Sequence, residues 1–311
     1  MKRDSESRLV VNFHGNAGHV AQGHRPSTYR SISGIPHTHL LTCDYRGFGL
    51  SSLINPPHIP TEKGIITDSI SLLSYVQTSL NHPTSRTVLL GQSLGTAVTA
   101  ASALYFANPS SAQLPANITH PTPKPTSRDP FASIILIAPF TDLPTLLHTY
   151  KIGGILPILQ PLRSYPRIAT FLSNRIVDPW PTLARLLAII RASPPPAPLH
   201  MHILHARNDA DIPFRAAEAV YAPLQSLMLA GEGVAATEER RSIHGSERVR
   251  RGAFAYTKVE DARGRKSVEL EVVRFGGHNE VVGWAQVSLA VRRAFERAEG
   301  ARRGKVGLDV E

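Results

Sequence analysis

Short apolar runs alternate with longer segments of helical periodicity along most of this chain. Continuous apolar runs indicate strands buried on both faces, whereas apolar residues spaced three and four apart indicate helices that cover a sheet. The predicted strands are Arg8–Phe13, His39–Asp44, Val88–Leu90, Ala132–Ala138, Met201–His205 and Val268–Phe275. The predicted helices are Thr61–Leu80, Thr96–Phe106, Arg215–Leu229 and Val281–Ala298.

This alternation predicts one α/β domain over residues 1–311, with a mostly parallel, doubly wound sheet and helices on both faces. The last strand, Val268–Phe275, alternates apolar and polar residues, so we expect it at a half-exposed edge. Residues 141–195 are helical and interrupted by prolines, which predicts a cap or lid segment. Two polar stretches, 108–130 and 231–266, are predicted surface insertions.

The strand Val88–Leu90 runs into the sequence G-Q-S-L-G at Gly91–Gly95 and then into a helix. Strand, tight turn and helix form the context of a G-x-S-x-G nucleophile elbow, whose glycines let the strand and the helix approach closely. We therefore predict Ser93 as a nucleophile. A βα turn with an incidental serine is the alternative. The other predicted elbow residues are Gly91, Gln92 and Gly95.

A serine hydroxyl needs a base to take its proton and a carboxylate to orient that base. Asp209 and Asp211 both follow the strand that ends at His205; we favour Asp209 as the acid and Asp211 as the N-cap of the next helix. His278 follows the last strand on a Gly-Gly turn. The chain order Ser93, Asp209, His278, each at a strand end, is the order used by hydrolases built on such a sheet.

A tetrahedral oxyanion needs hydrogen-bond donors that are already in place. The backbone amide of Leu94 at the helix start and that of Asn16 in the loop after the first strand are the predicted donors. His200 and His202 share one strand face and mimic a metal pair, but no third ligand lies nearby in sequence. We expect them to be core or edge residues, and we predict no metal.

The composition narrows the classes of partner. A formal charge of +10 is interleaved with glutamate and lacks aromatic stacking partners, which favours a solvated basic surface over nucleic-acid binding. The single cysteine excludes a disulfide framework and a cysteine-based zinc site. No run of about 18 apolar residues occurs, so the sequence predicts no membrane span. We predict no cofactor and no nucleic-acid partner.

Five motifs at the predicted strand ends together resemble the α/β-hydrolase superfamily. Within it, the loop after the second strand and the continuation Phe140-Thr141-Asp142-Leu143 make the chain most similar to the lysophosphatidylserine lipase and monoacylglycerol lipase branch, in a fungal-like form. Relative to that branch, we expect the chain to be shortened at its N-terminus, without the opening strands and the membrane anchor. The five motifs are His14–Gly18, Asp44–Gly49, Gly91–Gly95, His205–Asp209 and Gly276–His278.

The resemblance implies a serine hydrolase that cleaves acyl esters of lysophospholipids or monoacylglycerols through an acyl-enzyme on Ser93. A protein acyl-thioesterase and a non-catalytic ligand-binding protein on the same fold are the alternatives. The apolar segment Ile152–Leu162, broken by Gly and Pro, together with the basic charge favours an amphiphilic lipid ester and peripheral contact with an anionic membrane. The resemblance also implies association with the endoplasmic reticulum membrane, with a cytoplasmic location as the alternative.

Overall fold

The computed structural model of the chain describes residues 6–54, 58–121, 129–159, 161, 164–193, 197–230, 249–251, 254–261 and 263–306. Eight strands in this part of the chain form one sheet. They are β1 (Arg8–Phe13), β2 (Thr38–Thr42), β3 (Thr87–Gln92), β4 (Ser133–Ile137), β7 (Leu199–Ala206), β8 (Val249–Arg251), β9 (Phe254–Glu260) and β10 (Lys266–Val273). Between β4 and β7 along the chain, two short strands form a separate hairpin. They are β5 (Lys151–Ile152) and β6 (Leu156–Pro157).

Helices connect most of these strands, as the hydrophobic periodicity predicts. Each predicted strand and helix overlaps an element of its type in the structure, and the last predicted helix also includes the 3₁₀ turn that precedes α8. The helices are α1 (Arg25–Ser33), α2 (Glu62–Thr78), α3 (Leu94–Ala107), α4 (Leu143–Leu147), α5 (Pro166–Ser173), α6 (Thr182–Ala192), α7 (Arg215–Ala230) and α8 (Ala285–Val306), with 3₁₀ turns at Thr84–Arg86 and Val281–Gly283.

The strand order is β2-β1-β3-β4-β7-β10-β9-β8, and the first six strands in this order run parallel. The chain moves outward from β1 to β2 and then crosses to β3 on the other side of β1. The loops after β1 and β3 therefore separate at this point, where open α/β sheets form their ligand crevice. The predicted parallel, doubly wound sheet is confirmed.

The two faces of the sheet are covered by different helices. One apolar core lies beneath α2, α3, α6 and α7, and the other lies beneath α1 and α8. Twelve of the fourteen residues of α3 are buried, and most of them are small, so this helix packs directly on the sheet. Its position fixes the start of α3, where the elbow lies.

The prediction of an edge position for the last strand is wrong. β10 is an interior strand, with β7 on one side and β9 on the other. Glu269 and Glu271 are buried there beside His202, and Arg297 of α8 forms an ion pair with Glu269. The alternation of β10 therefore reflects a buried polar layer beneath α8 rather than a solvated face.

The prediction that residues 231–266 form a surface insertion is wrong for the part of this range that the structure describes. β8 and β9 extend the sheet beyond β10, and Val259 is buried in the core. Residues 231–248 lie outside the described part, as do residues 122–128 of the predicted insertion 108–130. Within 108–121, the Gln113 carbonyl accepts a 3.0 Å hydrogen bond from the buried Arg185, so this stretch is tied to the core.

The predicted cap segment 141–195 contains two different parts. Its last helix, α6, packs against α3, and Leu186 and Ile189 are buried there. The earlier part, with α4, the β5–β6 hairpin and α5, carries exposed apolar side chains. Residues 160, 162, 163, 194 and 195 of this segment lie outside the described part.

Candidate active site

Ser93 sits between β3 and α3 with a strained backbone, at φ 52° and ψ −120°. Its amide donates a 2.9 Å hydrogen bond to the carbonyl of Ile137, which fixes the turn against β4. A Cβ on Gly95 would lie 2.0 Å from the carbonyl oxygen of Phe13, and one on Gly91 would lie 2.3 Å from that of Gly95. The turn therefore needs glycine at both positions.

Asp209 follows β7, and its carboxylate is saturated with donors. Oδ1 accepts the amides of Asp211 at 2.9 Å and Ile212 at 2.8 Å. Oδ2 lies 2.7 Å from His278 Nδ1 and 3.2 Å from His205 Nε2. Burial opposes ionisation of this carboxyl, but hydrogen bonds from His205 and His278 outweigh that effect and hold its pKa well below the ordinary range.

Asp211 has a different place from the predicted one. Helix α7 begins at Arg215, so Asp211 lies four residues before it and is not its N-cap. Instead, its amide supports the Asp209 carboxylate. The structure thus brings Asp209, rather than Asp211, into contact with His278.

Three contacts hold the loop that carries His278. The amide of Gly277 donates to Asn208 Oδ1 at 3.0 Å, and Gln92 Nε2 donates to the His278 carbonyl at 3.0 Å. The third is the bond between His278 Nδ1 and Asp209. With Nδ1 engaged, Nε2 is the ring nitrogen free to accept a proton. In the described part of the chain, no hydrogen bond joins this ring to the Ser93 hydroxyl.

The loop after β1 lies against the elbow. A Cβ on Gly15 would lie 3.4 Å from that of Ser93. The buried Arg25 side chain donates to three carbonyls of this loop, those of Gly15 (3.2 Å), Ala17 (3.0 Å) and His19 (2.6 Å). One guanidinium therefore fixes the course of the loop, because its planar fork can serve several acceptors at once.

The predicted oxyanion donors directly follow the two residues of the contact between Gly15 and Ser93. Leu94 is the first residue of α3, so its amide is at a helix N-terminus, where negative charge is favoured. Asn16, which is exposed, follows Gly15 directly. His14 precedes them and is stacked on Tyr45 with the rings 4.2 Å apart. Burial lowers the pKa of His14 to about 4, so it shapes the loop as a neutral ring.

The β5–β6 hairpin rests on the loop that carries the acid. The amide of Lys151 donates to the Asp211 carbonyl at 3.2 Å, and Gly154, at φ +71°, packs against Ala210. Burial raises the pKa of the Tyr150 hydroxyl, and the negative charges of Asp211 and Asp209 raise it further. The hairpin thus lies above the sheet edge where the polar groups converge.

Exposed apolar side chains are concentrated in the segment of the chain that contains this hairpin. Of the fifteen large apolar side chains that are exposed in the described residues, nine lie within 152–177. They are Ile152, Ile155, Leu156, Ile158, Tyr165, Ile168, Phe171, Leu172 and Val177.

The roles of three residues of the site are not predicted from the sequence. His205 reads as a strand residue, and only the turn after β7 brings its ring back onto Asp209. No sequence pattern assigns a role to Arg25 or Asn208, yet their side chains hold other loops. The H-x-x-x-D spacing of His205 and Asp209 is the one signal the sequence contains.

The sheet order, the elbow after β3 and the convergence of loops after β7 and β10 define an α/β-hydrolase fold. Solved structures share it. Est1E from Butyrivibrio proteoclasticus with bound ferulic acid aligns with a TM-score of 0.54 and 15% identity, covering 96% of this chain and 92% of that one. The esterase Pf2001 from Pyrococcus furiosus aligns with a TM-score of 0.53 and 12% identity, covering 94% and 84%.

In sequence, the chain is similar to lysophosphatidylserine lipases and their relatives, which confirms the predicted resemblance. Human Protein ABHD12B is 27% identical over 218 residues, covering 68% of this chain and 49% of that protein. Lysophosphatidylserine lipase ABHD12 from Macaca fascicularis is 25% identical over 219 residues, covering 70% and 45%. The chain therefore matches about half the length of these relatives. No protein-family model matches it.

In the described part of the chain, no helix combines the length and the apolar character needed to cross a bilayer.

Proposed function

We propose that this chain is a serine hydrolase that cleaves acyl esters of lysophospholipids or monoacylglycerols. The contact that carries the proposal is the 2.7 Å approach of His278 Nδ1 to the buried carboxylate of Asp209. It lies at the sheet edge where the strained turn presents Ser93. A base oriented by a buried carboxylate, at the same sheet edge as a serine hydroxyl on a strand-to-helix turn, is the arrangement that serine-based acyl transfer requires.

In the proposed reaction, the Ser93 hydroxyl attacks the ester carbonyl while His278 Nε2 accepts its proton. The oxygen that becomes negative accepts hydrogen bonds from the amides of Leu94 and Asn16. The tetrahedral intermediate collapses when His278 returns the proton to the leaving alcohol, which is glycerol or the glycerophospho head group. Water then attacks the acyl-enzyme with His278 as base, and a fatty acid is released.

The surface around the site supports an amphiphilic substrate. Ile155 at the hairpin tip is 86% exposed, and Phe171 of α5 is 56% exposed. Arg167 and Arg175 are exposed on the same segment, and the Arg175 guanidinium lies 4.4 Å from the Phe171 ring centroid. Apolar side chains flanked by arginines favour contact with an anionic lipid surface, so we propose peripheral membrane contact through this segment. The name of the relatives, lysophosphatidylserine lipase, supports an anionic lysophospholipid as the substrate.

The test is hydrolysis of a panel of lysophospholipids, monoacylglycerols and acyl thioesters by the purified chain. Ser93→Ala and His278→Ala should each lower kcat/KM by about 10³-fold or more, because the nucleophile and its base act as a unit. Ser79→Ala and His58→Ala, at exposed positions, serve as matched controls and should retain full activity.

Three results would contradict the proposal. Activity that survives in Ser93→Ala or His278→Ala would show that another group is the nucleophile or the base. A wild-type chain whose Ser93 is not labelled by a fluorophosphonate would indicate a non-catalytic ligand-binding protein. Preference for thioesters over oxygen esters would replace the lipid esterase by a protein acyl-thioesterase.

A further inference from the structure

Two histidines contact the same oxygen of Asp209. His278 Nδ1 lies 2.7 Å from Oδ2, and His205 Nε2 lies 3.2 Å from it. The side chains of His205 and Asp209 are fully buried. The proposed mechanism uses only the first of these histidines, so the second needs a separate explanation.

The contacts of His205 define its tautomer. Besides Asp209 Oδ2, Nε2 lies 2.9 Å from the carbonyl oxygen of Ile212. Both neighbours are acceptors, so Nε2 carries the proton and donates to them. Nδ1 is buried without a hydrogen-bond partner among the described residues, which fits a nitrogen that carries no proton. The ring is therefore a fixed donor that faces the acid.

We propose that His205 is a positioning residue of this site. Its Nε2–H holds Asp209 Oδ2 in the orientation that His278 Nδ1 needs, and it draws part of the carboxylate charge away from that contact. This inference rests on the proposed function, since it assigns a role within the same site. It goes beyond the Ser-Asp-His set because a fourth side chain then sets the strength of the contact between acid and base.

The inference predicts a change in pH dependence. Without the His205 donor, Oδ2 keeps more negative charge and stabilises the protonated form of His278, so the acid limb of the pH–rate profile moves to higher pH. Other groups facing this cluster are unchanged by the substitution. They are Tyr150 from the hairpin side, Asp211 on the acid loop, and His24 and Glu280 near His278.

Three variants separate positioning from filling space. Gln places an amide N–H near the position of Nε2, Asn is too short to reach Oδ2, and Leu has no donor. His205→Gln should stay within a few-fold of wild type. His205→Asn and His205→Leu should lower kcat on the order of tenfold, with KM little changed and the acid limb shifted upward. Thermal unfolding shows which variants are folded. If His205→Leu does not fold, the comparison of His205→Gln with His205→Asn still tests the inference.

A readout without turnover separates this inference from the proposed function. In the Ser93→Ala background, the low-field proton NMR signal of His278 Nδ1–H should move in the Asn variant and stay in place in the Gln variant. Loss of hydrolysis and of labelling in the wild type would contradict the proposed function, and this signal would still test His205. An Asn variant with the wild-type signal, or with wild-type kcat and acid limb, would overturn the inference.

Discussion

Gln92 Nε2 donates a 3.0 Å hydrogen bond to the backbone carbonyl of His278, 186 positions along the chain. It thereby ties the residue before Ser93 to the residue proposed as the base. The two loops leave β3 and β10, which are separated in the sheet by β4 and β7. A buried side chain, in addition to the sheet itself, thus sets the spacing of nucleophile and base.

The contact predicts the effect of Gln92→Met, which keeps the length of the side chain and removes the donor. The His278 loop should loosen, so kcat should fall on the order of tenfold with KM little changed. Steady-state kinetics on the best lipid ester gives the answer. Gln225→Met on α7 is the matched control, and equal kcat in both variants would contradict the positioning role of Gln92.

The close packing at the elbow predicts that Gly95→Ala is strongly destabilising. Its Cβ would meet the backbone of β1 at 2.0 Å, and backbone cannot give way as a flexible side chain can. We expect a loss of about 3 kcal/mol or more in the free energy of unfolding. Gly283→Ala, whose Cβ would lie 3.6 Å from Thr28 Oγ1, should cost less than about 1 kcal/mol. Urea denaturation of both variants provides the comparison.

The buried layer beneath α8 predicts a loss of stability at alkaline pH. His202 lies 3.3 Å from a carboxylate oxygen of Glu269 and 3.3 Å from one of Glu271. Burial lowers the pKa of His202, but the two carboxylates outweigh burial and raise it above the ordinary 6.5. A raised folded pKa contributes stability that is complete below about pH 6.5 and is lost as pH rises through the folded value.

The measurement is the free energy of unfolding from pH 6 to pH 9 for wild type and His202→Gln. The wild type should lose stability across this range by about 1 kcal/mol or more, whereas the variant should show a flatter dependence. Parallel slopes for the two proteins would contradict a proton held on His202.

The exposed apolar segment predicts binding to anionic vesicles. The double variant Ile155→Ser with Phe171→Ser removes two large exposed side chains that would enter the lipid interface, and affinity should fall by about tenfold or more. Sedimentation with phosphatidylserine vesicles measures it. Leu289→Ser, an exposed position on α8, is the control and should bind as wild type does. Undiminished binding of the double variant would place the lipid contact elsewhere.

The sequence alone predicts most of the sheet and the contact between Asp209 and His278. Apolar runs such as Ser133–Ile137 identify strands because both faces of a parallel sheet are buried. The interior position of β10 could not be predicted, since Glu269 and Glu271 give the same alternation whether they face water or a buried His202. A charged residue in a strand therefore indicates a solvated face only where no buried partner compensates its charge.

Contacts between loops are the other part that sequence does not reveal. His205 is only four positions from Asp209, yet a residue in that place on a strand can point to either face of the sheet or into the turn. Arg25 holds three carbonyls whose positions depend on the whole course of the loop. Such contacts follow from tertiary packing and leave no periodicity to read.

The strained backbone at Ser93 lowers the stability of the fold at the residue proposed as the nucleophile. A non-glycine residue at φ 52° carries strain of about 1–3 kcal/mol, which a glycine at the same position would avoid. Ser93→Gly should therefore unfold at a higher temperature than the wild type while it lacks the hydroxyl. Any engineering of this chain for thermal robustness alone would favour removing the very group on which the proposed chemistry depends.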